Sequence, residues 1–133
     1  KSRGCGRTDV CSPTNLRLQA RALSTNCHFR MEHFDNVRLV PKANIYDGGK
    51  CVSHTFYSED WKKKTAGVMF PATHHFNTEE PERMDVIEGQ CRVRLAGETD
   101  WKEYQKGEFF DVPGHCSFDI EIIETMHYIC HFG

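Results

Sequence analysis

Residues 84–97 read MDVIEGQCRVRLAG and carry two patterns that are typical of β-strands. From Cys91 to Leu95 apolar and charged residues alternate, so the two kinds of side chain take opposite faces of an extended segment. The short apolar run Met84–Ile87 ends at Glu88-Gly89, a pair that favours a turn. The stretch therefore predicts two short strands separated by a turn, with both arginines of the second strand pointing outward.

Similar runs continue on both sides of this stretch. Apolar or aromatic-rich runs occupy residues 50–57, 67–71, 74–76, 107–112, 118–123 and 126–132, and turn residues separate them. Short strands at roughly 8–12-residue spacing are typical of an all-β sandwich or barrel. No long stripe of helical period follows Met31. We therefore predict an all-β domain over residues 31–133.

The charge of the chain is unevenly divided. The 133 residues carry a net charge of −2, but residues 1–30 hold six Lys/Arg and one acid, whereas residues 31–133 hold 11 Lys/Arg and 18 acids. The first part is thus +5 and the second −7, and we place a domain boundary near Met31. An acidic domain is not expected to bind nucleic acid. No apolar run approaches the ~20 residues that span a bilayer, so we expect no membrane partner.

Residues 1–30 form a basic extension. Ser12 and Pro13 are typical of the first positions of a helix, which would continue to Leu23. The extension is rich in Arg and poor in acids, as organelle transit peptides are. A segment upstream of a natural start at Met31, or sequence added for expression, are the alternatives. We expect a cytoplasmic protein, with organelle targeting by residues 1–30 as the alternative.

The seven cysteines do not form a recognisable metal or disulfide pattern. Their number is odd and none of them lies in a C-x-x-C pair, which argues against a zinc site and against a complete disulfide framework. Cys51, Cys91, Cys116 and Cys130 lie in apolar or alternating segments. We interpret these four as small thiols of a protein from a reducing compartment, mostly buried.

Two spacings narrow the fold. Six residues separate Glu82 from Gly89, and five separate Gly107 from Pro113-Gly114, which resembles the two motifs of the cupins, a class of small jelly-roll barrels. When the cupin motifs are aligned with this chain by their spacing, their three histidine positions fall on Phe76, Thr78 and Phe118. Only Glu82 keeps a ligand-type side chain, and one carboxylate holds a metal weakly. We predict a cupin-type barrel without a metal.

A series of further motifs resembles one family of small cupins. They are Tyr46–Ser53, Thr65–Met69, Phe76–Thr78 with Glu80–Glu82, Asp100-Trp101, Phe110–His115 and Tyr128–Cys130. Together they resemble the pyrimidine/purine nucleoside phosphorylases, over about Phe34 to Phe132. The resemblance implies cleavage of the N-glycosidic bond of many purine and pyrimidine nucleosides by phosphate, which gives free base and pentose 1-phosphate. Inorganic phosphate is then the co-substrate, and no cofactor is expected.

Phosphate needs cationic and neutral donors that converge on one spot. Lys50 and Ser53 lie on the first strand of the domain core, and Thr78 occupies a position that points into the barrel of cupins. We predict that these three residues bind phosphate. An exposed lysine after a Gly-Gly turn and ordinary β-strand hydroxyls are the alternatives. We interpret the run 62–64, which reads KKK, as a solvated turn.

The remaining candidates would contact the nucleoside. Glu82 would accept hydrogen bonds from the ribose hydroxyls and stabilise an oxocarbenium-like state, and Glu80 would share its face of an extended strand. Phe76 and Phe118 would stack on the base, which suits broad specificity because stacking tolerates any base. His115 would donate to the base or to phosphate. The alternatives are a turn cap for Glu80, core packing for Phe76 and Phe118, and a structural turn histidine for His115.

Two other functions stay open at this point. One is a metal-dependent cupin oxygenase or isomerase that would use His54, His74 or His75, Glu82 and His127. Adjacent strand residues point to opposite faces, so His74 and His75 would not both line a pocket. The other is a cupin that binds a ligand without catalysis. For assembly we expect a homodimer, since small cupins often pair through their sheet edges.

Overall fold

Nine β-strands and one 3₁₀ turn make up the part of the chain that the computed structural model describes, residues 33–133. The elements are β1 (Arg38–Leu39), β2 (Asn44–Tyr46), the 3₁₀ turn (Asp47–Gly49), β3 (Cys51–Tyr57), β4 (Lys63–Met69), β5 (Thr73–Asn77), β6 (Glu82–Leu95), β7 (Lys102–Gln105), β8 (Phe109–Val112) and β9 (Ser117–Phe132). The helix predicted from Ser12 to Leu23, the basic extension and the boundary at Met31 lie outside the described residues. Within them, no helix is long and apolar enough to cross a membrane.

The two longest strands, β6 and β9, organise the sheet. They run antiparallel along almost their whole length, with Met84 opposite Cys130 and Val93 opposite Ile120. The first half of β6 also pairs with β8 and the second half with β7. In the same way, β9 pairs first with β5 and then with β4. The sheet continues from β4 to β3, whose free side is taken by β2 and β1.

The prediction of short separate strands within residues 84–95 is wrong. Both runs belong to the single strand β6, whose register with β9 shifts between Val86 and Cys91. Gly89 has φ +96°, and a Cβ there would clash with the carbonyl oxygen of Thr125. The glycine forms a bulge that bends a continuous strand, rather than a turn that ends it. The runs predicted at 118–123 and 126–132 are likewise one strand, β9.

Three short strands carry no pattern that predicts them. They are β1, β2 and β7, of two, three and four residues, and most of their side chains are exposed. Each pairs with a longer strand on one side, so its position depends on that partner strand. They lie at the margins of the sheet, where β1 and β7 end the main strand path.

The inner face of the sheet holds the core, and the outer face is charged. Fourteen buried residues, Ile120, Met126 and Cys91 among them, form one cluster within the unit Phe34–Gly133. Arg92 pairs with Glu121 on the outer face and Arg94 with Asp119, at 2.5 and 3.2 Å, which confirms the outward direction predicted for both arginines. The all-β class is confirmed, whereas the predicted barrel is not closed, because the strand path runs from β1 to β7 and these two strands do not pair with each other.

The four cysteines of the described residues are free thiols. Cys51, Cys91 and Cys130 are buried in the core and Cys116 is half-buried. The interpretation of these residues as unpaired and mostly buried thiols is confirmed for this part of the chain.

Candidate active site

The curled sheet surrounds a cavity of about 440 Å³, a volume typical of sites for small ligands. Its lining comes from β2 to β6 and from β9. The polar and charged lining residues are Asn44, Ser53, Thr55, Lys63, Thr65, Asn77, Glu79, Glu80 and Glu82, and the others are Tyr46, Cys51, Met69, Phe76, Met84, Phe118, Tyr128, Cys130 and Phe132. The polar groups occupy mainly the β2–β4 side and the start of β6, whereas two phenyl rings occupy β5 and β9.

A row of hydroxyl groups forms the polar wall. Ser53 and Thr55 lie on the inner face of β3, and Thr55 is directly opposite Thr65 of β4. The Asn44 side-chain amide, from the neighbouring strand β2, donates to Ser53 Oγ at 3.2 Å and to Thr55 Oγ1 at 3.1 Å. Because each of these two oxygens accepts from Asn44, each hydroxyl keeps its own hydrogen to donate elsewhere.

A glycine lets two of the polar groups meet across a strand. Gly67 of β4 lies between Ser53 on one neighbouring strand and Tyr128 on the other. A Cβ at Gly67 would lie 2.7 Å from Ser53 Cβ and 2.8 Å from the Tyr128 hydroxyl oxygen, both too close for a side chain. The Tyr128 hydroxyl also lies 3.7 Å from Cys51 Sγ, and burial raises its pKa, so this phenol stays protonated.

Glu82 is the half-buried carboxylate of the cavity. It begins β6 and accepts a hydrogen bond from Cys130 Sγ at 3.5 Å. Burial raises the pKa of the Glu82 carboxyl, and the nearby charge of Glu80 acts in the same direction, while the Cys130 contact and the charge of Lys63 lower it. Because burial is the largest of these effects, the carboxyl holds its proton to a higher pH than an exposed glutamate does.

The apolar wall consists of two phenyl rings from adjacent strands. Phe76 of β5 is directly opposite Phe118 of β9, with ring centroids 5.7 Å apart. The ring of Tyr46 meets Phe76 edge-on at 5.8 Å, from the β2 side. The imidazole of His74 stacks on Phe76, with centroids 5.9 Å apart. Phe76 is thus held on three sides by aromatic rings, and it offers a flat apolar surface to the cavity.

Five of the eight predicted site residues line this one cavity. They are Ser53, Phe76, Glu80, Glu82 and Phe118. The two phenylalanines that stand at cupin histidine positions do face each other, as the spacing implied. Glu80, exposed in the turn before β6, lies in the lining with Glu82. The roles given to these residues stay predictions.

The other three predicted residues, Lys50, Thr78 and His115, lie outside the lining. Lys50 is exposed at the end of the 3₁₀ turn, and its carbonyl accepts from the Phe70 amide at 2.8 Å. His115 is exposed in the loop between β8 and β9, with φ +51°. A shared phosphate site requires Lys50 and Ser53 in one place. The structure instead places Ser53 in the cavity lining and Lys50 outside it.

Thr78 has a structural contact where a ligand contact was predicted. Its hydroxyl donates to the Pro113 carbonyl at 2.6 Å and accepts from the Cys116 amide at 3.0 Å. These bonds join the loop after β5 to the loop after β8. Because the hydroxyl is occupied in this way, Thr78 does not present it to the cavity.

The main residue that the sequence analysis missed is Lys63. The three-lysine run is not a solvated turn throughout, because Lys63 and Lys64 belong to β4. Lys63 lines the cavity, and its Nζ lies 4.6 Å from the centre of the Phe132 ring. The signal was the two-residue period in which Lys63, Thr65, Gly67 and Met69 share one face of the strand.

The histidines of the metal-dependent alternative do not meet in the cavity. Among residues 33–133, no histidine lines it, and no three His, Cys, Asp or Glu side chains are grouped to hold a metal ion. His74 is fully buried and His75 is exposed, so the two side chains do take opposite faces of β5. His75 contacts Asp119 at 2.7 Å on the outer face.

Comparisons with known proteins agree on one family. The family description "Pyrimidine/purine nucleoside phosphorylase" matches residues 41–132. Proteins of that name from Cupriavidus metallidurans and Methylococcus capsulatus are 58% and 52% identical over 103 residues, which cover 77% of this chain and 100% of each relative. A solved protein of unknown function from Acinetobacter sp. ADP1 is 44% identical with a TM-score of 0.74, covering 76% of this chain and 98% of that one.

A more distant solved structure extends the fold comparison. A putative ethanolamine utilization protein from Salmonella typhimurium is 15% identical with a TM-score of 0.57, over 68% of this chain and 77% of that one. At this identity the likeness concerns the fold alone. The family match and the relatives above 50% identity establish more: the chain belongs to the pyrimidine/purine nucleoside phosphorylase family.

Proposed function

We propose that this chain is a nucleoside phosphorylase of broad specificity that acts on purine and pyrimidine nucleosides with inorganic phosphate. A phosphate oxygen would form a bond to C1′ of the pentose while the C1′–N bond breaks. The base would leave with the bonding electron pair and take up a proton. The products are the free base and a pentose 1-phosphate, so the enzyme is a pentosyltransferase.

The observation that carries this proposal is the division of the cavity into two chemically different walls. One wall offers the partly exposed ring of Phe76, beside which the buried ring of Phe118 packs, and a phenyl face can stack on any nucleobase. The other offers hydroxyls, a lysine and carboxylates within the same 440 Å³. A nucleoside with a phosphate needs this combination, because its base is flat and apolar on its faces while its other parts are polar or charged.

Glu82 is the residue to which we assign the pentose. It is a half-buried hydrogen-bond acceptor in the cavity lining, in contact with Cys130 and within reach of the Lys63 charge. Its carboxylate would accept from the ribose hydroxyls, and its negative charge would stabilise the positive charge that develops on the ring. Glu80 would contribute charge at the same end of the cavity. His115 lies outside the lining, so we assign it no contact with substrate.

The test is phosphorolysis itself. Purified protein is incubated with uridine or adenosine and phosphate, and free base and pentose 1-phosphate are measured by chromatography. We expect both products, in equal amounts, only when phosphate is present. Base release without phosphate would indicate hydrolysis and would overturn the proposal, as would the absence of free base from every nucleoside at high enzyme concentration.

Two parallel measurements address the alternatives. Activity in the presence of a chelator is expected to equal activity without it, since we propose that no cofactor is needed. A loss of activity in chelator that stoichiometric iron or manganese restores would favour a metal-dependent cupin instead.

Glu82→Gln is expected to lose at least about tenfold in turnover, whereas the matched exposed variant Glu103→Gln on β7 is expected to keep the wild-type turnover.

We also propose a homodimer in the cytoplasm. The main strand path ends at β1 and β7, and such edges are commonly covered by pairing with another chain. Light scattering after size-exclusion chromatography measures the mass in solution directly. A mass of one chain at micromolar concentration would contradict the dimer without affecting the proposed reaction.

A further inference from the structure

Lys63 is the positive charge of the cavity. Among the described residues it is the one Lys or Arg in the lining, while three of the lining residues are glutamates. A phosphate dianion that enters such a space loses hydration and meets negative charge. It therefore needs at least one cation at contact distance to bind with useful affinity.

The side chain of Lys63 lies along the cavity wall. Lys63 begins β4, and its Nζ lies over the ring of Phe132 at 4.6 Å from the centroid, a geometry in which a cation is attracted to the ring. The charge acts inside the cavity, since it lowers the pKa of both Glu82 and Cys130. The ammonium group thus faces the ligand space and not bulk water alone.

Neutral donors lie beside this cation. Thr65 follows Lys63 on the same face of β4, and Thr55 is directly opposite Thr65. The Thr55 hydroxyl accepts from Asn44 at 3.1 Å, which leaves its hydrogen to donate to an anion. A cation with a hydroxyl donor on the neighbouring strand is the arrangement that phosphate oxygens require.

Resting on the proposed function, we infer that Lys63, with the hydroxyl of Thr55, binds the phosphate co-substrate. This places the phosphate at the β3–β4 wall and the base against Phe76, with the pentose between them. Lys50, the cation predicted from the sequence to bind phosphate, lies outside the cavity lining and has no part in this site.

The neighbouring carboxyl does not forbid the anion. Glu82 is near enough to Lys63 for each to influence the other, and a carboxylate there would repel phosphate. Lys63 is close enough to Glu82 to lower the pKa of its carboxyl, so the ammonium charge offsets part of the repulsion between an ionised Glu82 and phosphate.

The test separates the two substrates kinetically. We expect Lys63→Ala to raise the phosphate KM about 10-fold or more, the size expected for loss of a charge-assisted bond, and to change the nucleoside KM less than about 2-fold. Lys63→Arg keeps the charge and is expected to restore most of the phosphate affinity. An unchanged phosphate KM in Lys63→Ala, or an equal rise in both KM values, overturns the inference.

Lys64 supplies the matched control. Its Nζ lies 3.0 Å from His131 Nδ1, on the face opposite to Lys63. Lys64→Ala removes the same charge from the next residue of the same strand and is expected to leave the phosphate KM unchanged. A rise equal to that of Lys63→Ala would mean that net charge, and not contact, governs phosphate binding, and would overturn the inference.

Titration with inorganic phosphate alone gives a readout that needs no turnover. We expect calorimetric binding to the wild-type protein and a Kd at least about 10-fold weaker in Lys63→Ala. Equal Kd values, or no binding to the wild type, overturn the inference whether or not nucleosides are cleaved. Phosphate binding through Lys63 in a protein that releases no base would instead overturn the proposed function and leave the anion site standing.

Discussion

The imidazole of His74 lies almost parallel to the ring of Phe76, with 13° between the two planes and 5.9 Å between the centroids. His74 is fully buried, and its Nδ1 is hydrogen-bonded to the Asp47 carboxylate while its Nε2 lies 3.3 Å from the Phe70 carbonyl. Each ring nitrogen thus has a hydrogen-bonding partner. The ring behind Phe76 is therefore held at both nitrogens, and this fixes the surface on which a base would stack.

Replacing His74 is expected to cost stability and nucleoside affinity together. His74→Ala removes a buried ring and both of its hydrogen bonds, a change of about 2–4 kcal/mol in the free energy of unfolding. Since Phe76 loses its support, the nucleoside KM is expected to rise more than the phosphate KM. Denaturant unfolding and steady-state kinetics measure the two effects.

His75→Ala is the control for this substitution. His75 is the next residue, but its side chain is exposed and contacts Asp119 on the outer face. A surface change of this kind is expected to stay within about 0.5 kcal/mol and to leave both KM values unaltered. If the two alanine variants behaved alike, His74 would have no role in positioning Phe76.

Gly67→Ala is expected to disturb both the fold and the site. The added Cβ would lie 2.7 Å from Ser53 Cβ and from the Val52 carbonyl oxygen, in the middle of three paired strands. Such overpacking typically costs about 1–3 kcal/mol. It would also separate Ser53 from the Tyr128 hydroxyl, so activity is expected to fall beyond what the lower stability explains, when both are measured below the melting temperature.

Gly97→Ala separates crowding from backbone strain. Gly97 has φ +85°, but a Cβ there meets nothing within 4 Å. Its expected cost is about 1 kcal/mol, from the conformation alone, with unchanged kcat. A Gly67→Ala protein as stable and as active as the wild type would show that the strands can separate without cost.

The face of the sheet on which several side chains lie could be predicted from the sequence. Strand periodicity determines the face, and motif spacing determines which positions are equivalent to those of cupins. Phe76 and Phe118 were expected at equivalent cupin positions, and they lie opposite each other. The alternation from Cys91 to Leu95 likewise placed Arg92 and Arg94 on the outer face, where they pair with acids. In each case a period of two residues carries the information.

The cation of the cavity could not be predicted in this way. Lys63 looked like part of a charged turn because the two neighbouring lysines mask its alternation with Thr65, and its role depends on the ring of Phe132, which is 69 residues away in the chain. The contacts of Thr78, which was predicted to bind phosphate, could not be predicted for a similar reason. Its hydroxyl is occupied by the loop at Pro113 and Cys116, a contact that becomes visible only when the strands are assembled.

The buried thiols are expected to react slowly in the folded protein. Burial raises the pKa of Cys91 to about 12 and also raises the pKa of Cys51 and Cys130, so little thiolate forms near pH 8. Cys116 is half-buried and provides the comparison. Peptide mapping after native iodoacetamide treatment is expected to find Cys116 labelled first among these four, and the others labelled only in denaturant. Native labelling of Cys91 as fast as Cys116 would contradict this.

The titration of Glu82 is expected to make the free energy of unfolding depend on pH. Because burial raises the pKa of its carboxyl, the folded protein keeps this proton to a higher pH than the unfolded chain does. Unfolding then releases protons between the ordinary pKa of 4.5 and the raised value, and the free energy of unfolding falls as pH rises through that window. Glu82→Gln cannot ionise, so this part of the pH dependence is expected to disappear.

Denaturant unfolding from pH 4.5 upward, with wild type and Glu82→Gln compared at each pH, measures this difference. The wild-type value is expected to decline relative to the variant, while the exposed control Glu103→Gln keeps the wild-type slope. In Lys63→Ala the decline is expected to extend to higher pH, because the charge that lowers the Glu82 pKa is gone. A wild-type value that rose relative to Glu82→Gln would mean that the Lys63 charge outweighs burial and that the carboxyl is ionised at all working pH values.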